Sequence, residues 1–291
     1  MKYLRTLIIK MVPDLWLMRA KLALQNFDRT PPVVIYQMGK VGSSAVYESI
    51  KRAGIENPIY HVHFLSYTNL DEVEQYHQKV GAKSAISPVR FWRSLRHKLD
   101  RTKMPVYLIS LVREPVAREI SDVFQNMASH HAELLTDNGE VDVEKTVNYL
   151  NALFADFNEA TDYACTWFDK EILDSFGIDV YASSFDHSRG FSIMENDRAK
   201  LLLLRMEDLS RVFAEAMREF MGLSVPLVRS NESASKGYSE SYQAVLKKFA
   251  MPVNAGTKVY ASRYARHFYP DEVRAELMEK WISTNQHGTS S

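Results

Sequence analysis

The stretch Val33-Val34-Ile35-Tyr36-Gln37-Met38-Gly39-Lys40-Val41-Gly42-Ser43-Ser44 decides how this chain is read. Four consecutive apolar residues after a Pro-Pro break read as a strand buried on both faces. The turn that follows holds Gly39 and Gly42, where the backbone can come close to a bound anion. A helix expected from residue 43 to about residue 52 offers its first N–H groups and its positive dipole end at the same place. Lys40 supplies a full charge, Val41 spaces it from Gly42, and Ser43 and Ser44 supply hydroxyls. The order of residues excludes the common triphosphate-binding loop, which needs four residues between its first glycine and a Gly-Lys pair, whereas Lys40 precedes Gly42.

Outward from this loop, strand and helix patterns alternate. Residues 59–65 read as a second strand, followed by a polar helix capped at Asn69 and running to about residue 80. Residues 106–112, Val-Tyr-Leu-Ile-Ser-Leu-Val, form the third strand, and Pro115 suits the first position of the next helix because its missing N–H is not needed there. Helical patterns fill 143–176, β-rich patches lie around Val180, 191–193 and 201–204, and a helix covers about 209–221. Further helices follow a polar loop at 230–237. The alternation predicts an α/β fold, a three-layer sandwich around a central, mostly parallel sheet with added helices. Residues 31–291 are expected to form a single domain.

The 291 residues hold 36 basic and 36 acidic side chains, so no global field draws the protein to nucleic acid. The single cysteine, Cys165, cannot make an internal disulfide, and a reduced, cytoplasmic protein is expected. Residues 1–30 hold an amphipathic helix with Leu4, Leu7, Ile8, Met11, Leu15 and Met18 on one stripe. Lys10, Asp14, Arg19 and Lys21 interrupt it, so it falls short of the roughly 20 apolar residues of a membrane span. Packing on the domain core and peripheral contact with a membrane surface both remain open for it.

Two further groups of residues carry chemistry. Arg113 ends the third strand, and Ser121 lies on the same face of the following helix as Arg118 and Gln125. Ligands of open α/β sheets bind beyond the carboxyl ends of the strands, which puts Arg113 where the Lys40 loop opens. His61 and His63 lie two apart on one face of the second strand, and an imidazole that titrates near neutrality suits general-base work. No third ligand at a defined spacing accompanies them, so no metal is expected. The basic run 90–103 with Phe91, Trp92, Leu95 and Leu99 at helical spacing fits either a solvated amphipathic face or a docking surface for an anionic polysaccharide.

Together these elements resemble the sulfotransferase superfamily, whose donor is 3′-phosphoadenosine 5′-phosphosulfate (PAPS). Lys40-Val41-Gly42-Ser43-Ser44 is similar to its 5′-phosphosulfate loop. Val112-Arg113-Glu114-Pro115 with Ser121 is similar to its 3′-phosphate element, with Glu114 in place of the more frequent Asp. Leu204-Arg205-Met206-Glu207-Asp208-Leu209 resembles the Glu-Asp-Leu strand end, and the loop with Asn231, Lys236 and Gly237 resembles the segment that closes over the nucleotide. Trp167-Phe168-Asp169-Lys170-Glu171 and Phe185-Asp186 resemble a bacterial branch labelled as capsular polysaccharide synthesis proteins.

The resemblance implies a P-loop-like sulfotransferase fold, a glycan hydroxyl as acceptor, adenosine 3′,5′-bisphosphate (PAP) as product and no metal. It places Gly39 to Ser44, Arg113, Ser121, Lys236 and Gly237 around the nucleotide. Tyr60-His61-Val62-His63 resembles the Tyr-His-Gly-His of glycan 2-O-sulfotransferases, which implies His63 as base with His61 in support; valine replaces the glycine here. Two other classes share parts of this pattern. A nucleotide-dependent kinase would need a triphosphate-loop lysine and an acid to hold Mg²⁺, and a non-catalytic scaffold of a polysaccharide-synthesis complex would keep the loop without needing His63.

Overall fold

Strands β1 (Val33–Tyr36), β3 (Val106–Val112) and β5 (Ala199–Arg205) are apolar along nearly their whole length, as suits a sheet covered on both faces. A computed structural model of the protein, describing residues 15–228 and 239–282, sets them at the centre of one five-stranded sheet. The strand order is β2-β1-β3-β5-β4, with β2 (Ile59–Val62) and β4 (Phe191–Glu195) at the edges. All neighbours are parallel except β4, which runs antiparallel to β5. The edge strands are less buried than the central three, as their position requires.

Register decides what meets at the carboxyl edge. Tyr36 pairs with Val62, and Val112 pairs with Arg205, so the turns after β1, β2, β3 and β5 leave the sheet side by side. The chain passes from β1 out to β2 and then back across to β3. The topological switch therefore falls between β1 and β3, where an open α/β sheet binds its ligands.

Helices cover the sheet. In chain order they are α1 (Leu15–Leu24), α2 (Ser43–Arg52), α3 (Tyr67–Lys79), α4 (Lys83–Leu99), α5 (Pro115–His130), α6 (Val143–Ala155) and α7 (Tyr163–Phe168). They continue with α8 (Asp174–Phe176), α9 (Leu209–Met221), α10 (Ser239–Lys248), α11 (Val253–Ala261), α12 (Arg263–Phe268) and α13 (Asp271–Ile282). A π turn, Asp169–Leu173, joins α7 to α8. The sheet and its flanking helices form one apolar core, while α5, α6, α10, α11 and α13 close a second one around Phe124, Leu150, Phe249 and Trp281.

Several elements differ from the sequence reading. The second strand stops at Val62 rather than reaching residue 65, because the Glu171 carboxylate takes the N–H groups of Leu65 (2.8 Å) and Ser66 (2.9 Å) and turns the chain out of the sheet. Helix α3 then starts at Tyr67 with Ser66 at its N-cap; Asn69 does not cap it but donates to Glu171 instead. Val180 belongs to a turn between α8 and β4.

The basic run lies largely on α4, and most of its cations are engaged inside the fold. Arg90 pairs with Glu74 at 2.9 Å and Arg93 with Asp71 at 2.7 Å. Arg96 is buried against Asp100, the Leu65 carbonyl and Ser175, while Lys98 donates to the carbonyls of Leu22 and Gln25. That last tie, with Arg19 on Ser94 and the burial of Leu22, seats α1 on the domain core. Residues 1–14, including Leu4, Leu7, Ile8 and Met11, lie outside the described residues. No helix among the described residues is long and apolar enough to cross a membrane.

Candidate active site

The loop after β1 is built to keep backbone donors open. Lys40 has φ 70°, alone among the described non-glycine residues in the left-handed region, and Gly42 follows at φ 81°. Holding a lysine there costs on the order of 1 kcal/mol, a strain that tends to persist where the backbone serves a site. The alternation curls the chain so that α2 begins at Gly42 with no side-chain cap, which leaves its N-terminal donors without a carboxylate or hydroxyl of their own. At Gly42 an added Cβ would come within 3.2 Å of Met206 and would sit on a left-handed backbone, so glycine is required twice over.

Arg113 spans the switch point. Its Nη1 donates to the Lys40 carbonyl at 2.8 Å, so the turn after β3 holds the loop after β1 directly. The Arg113 backbone is fixed in turn by the Tyr264 hydroxyl, which accepts from Arg113 N–H (3.1 Å) and donates to Arg113 C=O (2.9 Å). The next residue is fixed by Glu207, which accepts the Glu114 N–H at 2.8 Å and is itself held by Tyr269. The sequence pairs Lys40 with Arg113 as phosphate ligands, and the fold brings the two together.

Helix α5 presents Arg118, Ser121, Asp122 and Gln125 along one stripe. Lys40 Nζ rests on the Gln125 side-chain oxygen, and Asp122 lies beside Gly39 and acts electrostatically on His63. Ser121 is half-buried on that stripe. Arg118 on the same stripe is buried, pairs with Glu119 and lies over the Tyr163 ring. Tyr163 reaches the backbone of Gly39, and burial pushes its hydroxyl far above the usual phenol range. Asn231, Lys236 and Gly237 lie outside the described residues.

The two histidines are set for different work. Their ring centroids are 5.6 Å apart. The His61 Nε2 lies 2.9 Å from both Ser43 Oγ and the Gln37 side-chain nitrogen, which also donates to Ser43 at 2.8 Å. Its ring stacks on Tyr47, and burial, with His63 beside it, pulls its pKa down to about 4. A neutral His61 with an engaged Nε2 braces the loop. His63 stands one residue beyond the end of β2 with Nδ1 3.0 Å from the Gln37 carbonyl. Only an Nδ1–H can donate there, so the other ring nitrogen keeps its lone pair. Burial lowers the His63 pKa and Lys40 lowers it further, while the bond to the Gln37 carbonyl and Asp122 oppose them; the net shift favours the neutral ring.

Gln37 and Glu171, which the sequence reading quoted within longer motifs without giving either a role, hold this arrangement. Gln37 joins the two histidines through its side chain and its carbonyl. Glu171, projected inward by the π turn, binds the Tyr36 hydroxyl at the end of β1 as well as Leu65, Ser66 and Asn69 beyond β2. It fastens the exits of both strands, so the placement of His63 against Gln37 depends on it. Its signal in the sequence is a carboxylate on the apolar stripe of Trp167, Phe168 and Ile172, whose burial raises its pKa. Among the described residues no group of His, Cys, Asp or Glu side chains could hold a metal ion.

One family model matches the chain, NKWYS, described as "Putative capsular polysaccharide synthesis protein", over residues 138–270. The matched segment carries Glu171, Glu207, Tyr264 and Tyr269, the residues that fasten the loops from behind, while Lys40, His63 and Arg113 lie before it. No curated protein and no solved structure matches.

Proposed function

We propose that the protein is a sulfotransferase that moves a sulfuryl group from PAPS to a hydroxyl of a glycan. The observation that carries this reading is one junction: Arg113 on the carbonyl of a left-handed Lys40, before an uncapped helix, with the free nitrogen of a neutral His63 beside it. These groups fit a donor with two anionic groups. The α2 N-terminus and Lys40 suit the 5′-phosphosulfate, and Arg113 with Ser121 suits the 3′-phosphate. The match to a capsular polysaccharide synthesis family supports a carbohydrate acceptor.

In this mechanism His63 takes the proton of the acceptor hydroxyl as its oxygen bonds to sulfur. The bond between sulfur and the 5′-phosphate oxygen breaks with its electron pair on the phosphate, giving PAP. Lys40 exchanges Gln125 for the leaving oxygen and stabilises its charge, while N–H groups of the loop and of α2 hold the sulfuryl oxygens. Positioning and electrostatics carry most of the rate, as in phosphoryl transfer. Burial suits His63 to this role because it keeps the imidazole unprotonated near pH 7.

The test is incubation of the full chain with radiolabelled PAPS and isolated capsular or lipid-linked glycans. Label transferred to sugar, and lost in His63→Ala, supports the reading. PAPS bound without transfer to any glycan would instead favour a nucleotide-binding scaffold.

A further inference from the structure

Beside the two histidines, the β2 edge of the sheet opens into a cavity of about 790 Å³ between α1, α2 and α4. Tyr47, His61, Phe91 and Trp92 form its inner wall and Leu17 its outer one. It adjoins the candidate active site: His61 lines it and stacks on Tyr47, and Trp92, also in its wall, meets the His63 ring at 5.9 Å. Lys21 is the only formally charged side chain among the described residues that line it, and no carboxylate is among them. Its size is that of a small-molecule site, and its aliphatic and aromatic walls suit an apolar group, with Lys21, Gln25 and Asn57 as polar contacts.

The surface outside continues the same chemistry. Trp16 and Leu17 of α1 are 70% and 57% exposed, and Leu24 at the far end of that helix is 88% exposed. Leu17 both lines the cavity and is exposed, so apolar surface runs from the cavity onto the outer face of α1. The cations of α4 that would have formed a track for an anionic polymer are paired within the fold.

We propose that this cavity receives the apolar chain of the acceptor, so that the substrate class is a lipid-linked sugar. Its alkyl or isoprenoid part lies between α1 and α4 and its hydroxyl-bearing head at His63, with a linkage beside Lys21 that is neutral or anionic. The proposal rests on the transferase reading for the role of His63; the cavity's preference for an amphiphile can be measured without any turnover.

The probes are octyl β-glucoside, kept below its micelle-forming concentration, and methyl β-glucoside, each titrated calorimetrically into the full chain. Octyl glucoside should saturate one site and bind at least about tenfold more tightly than the methyl compound, as expected for burying alkyl surface. Leu17→Asp, on an exposed wall where folding is not at risk, and Ser87→Trp, which fills the cavity, should each weaken octyl glucoside about tenfold. Both variants should keep the thermal unfolding midpoint and the PAP affinity of the parent. Equal binding of the two glucosides, or unchanged octyl glucoside affinity in both variants, would overturn the assignment. Octyl glucoside binding without nucleotide binding would remove the sulfuryl-transfer reading and leave the cavity standing, and the reverse result would separate them the other way.

Discussion

Two helices start side by side at the carboxyl edge of the sheet, α2 after β1 and α5 after β3, and the chain treats their N-termini in opposite ways. At α5 the end is closed. Glu114 accepts the N–H groups of Val116 (2.8 Å) and Ala117 (2.7 Å), and it is buried beneath Tyr260 and Trp281, which both donate to it. At α2 the end is open: Gly42 brings no side chain, and a lysine stands beside it in a left-handed conformation. Both ends carry the same partial positive charge from aligned peptides. One is satisfied by the chain's own carboxylate, and the other has no side-chain cap. The contrast supports the proposal that α2 is the ligand-binding end, with Arg113 in the turn before α5 and Ser121 on α5 itself.

The largest expected effect follows from removing the cation at the open end. Lys40→Ala should lower turnover about 10³-fold, in the range of losing one transition-state donor. PAP affinity should fall by about tenfold or less. Unchanged turnover, measured by label transfer, would break the role given to the lysine.

At the closed end the cost appears as stability. Glu114→Ala removes a cap and leaves the Tyr260 hydroxyl and Trp281 N–H buried without their acceptor, for about 3 kcal/mol by urea unfolding. Glu114→Gln keeps an acceptor oxygen and should cost about 1 kcal/mol. Exchanging the two designs is sharper still. Gly42→Asp gives α2 a carboxylate of its own, and PAP affinity should drop about thirtyfold, or ~2 kcal/mol, alongside a stability loss of about 1–2 kcal/mol from the left-handed backbone and the crowding by Met206.

The smallest effect concerns His61. Its folded pKa of about 4 lies below that of the unfolded chain, so the unfolded state takes up a proton first as pH falls. Stability is then present above about pH 6.5 and lost below it, by about 1 kcal/mol from about pH 7 to about pH 5.5. His61→Gln should flatten that part of the pH dependence of unfolding. An unaltered slope would show that the imidazole is not held neutral by burial.

Much of this was legible in the residues. Strands β1 and β3 follow from unbroken apolar runs, and the helix expected over about 209–221 is α9. The Lys40 loop and Arg113 follow from the glycines and from the rule that ligands sit beyond strand ends. What could not be read was set at a distance. The end of β2 depends on Glu171, 106 residues further along the chain from Leu65. The separate tasks of His61 and His63 depend on Gln37, whose side chain and carbonyl face different rings. The pairing of Arg90, Arg93 and Lys98 could not be read because their partners sit on α3 and α1, which no local pattern pairs with α4.

The central claim is that the open end of α2, with Lys40 and Arg113, takes a 3′-phosphorylated adenosine nucleotide. Calorimetric titration of the full chain with PAP and with ATP tests it most directly. The account predicts one PAP site per chain and at least about tenfold weaker binding of ATP. No PAP binding, or ATP binding as tightly as PAP, would contradict it.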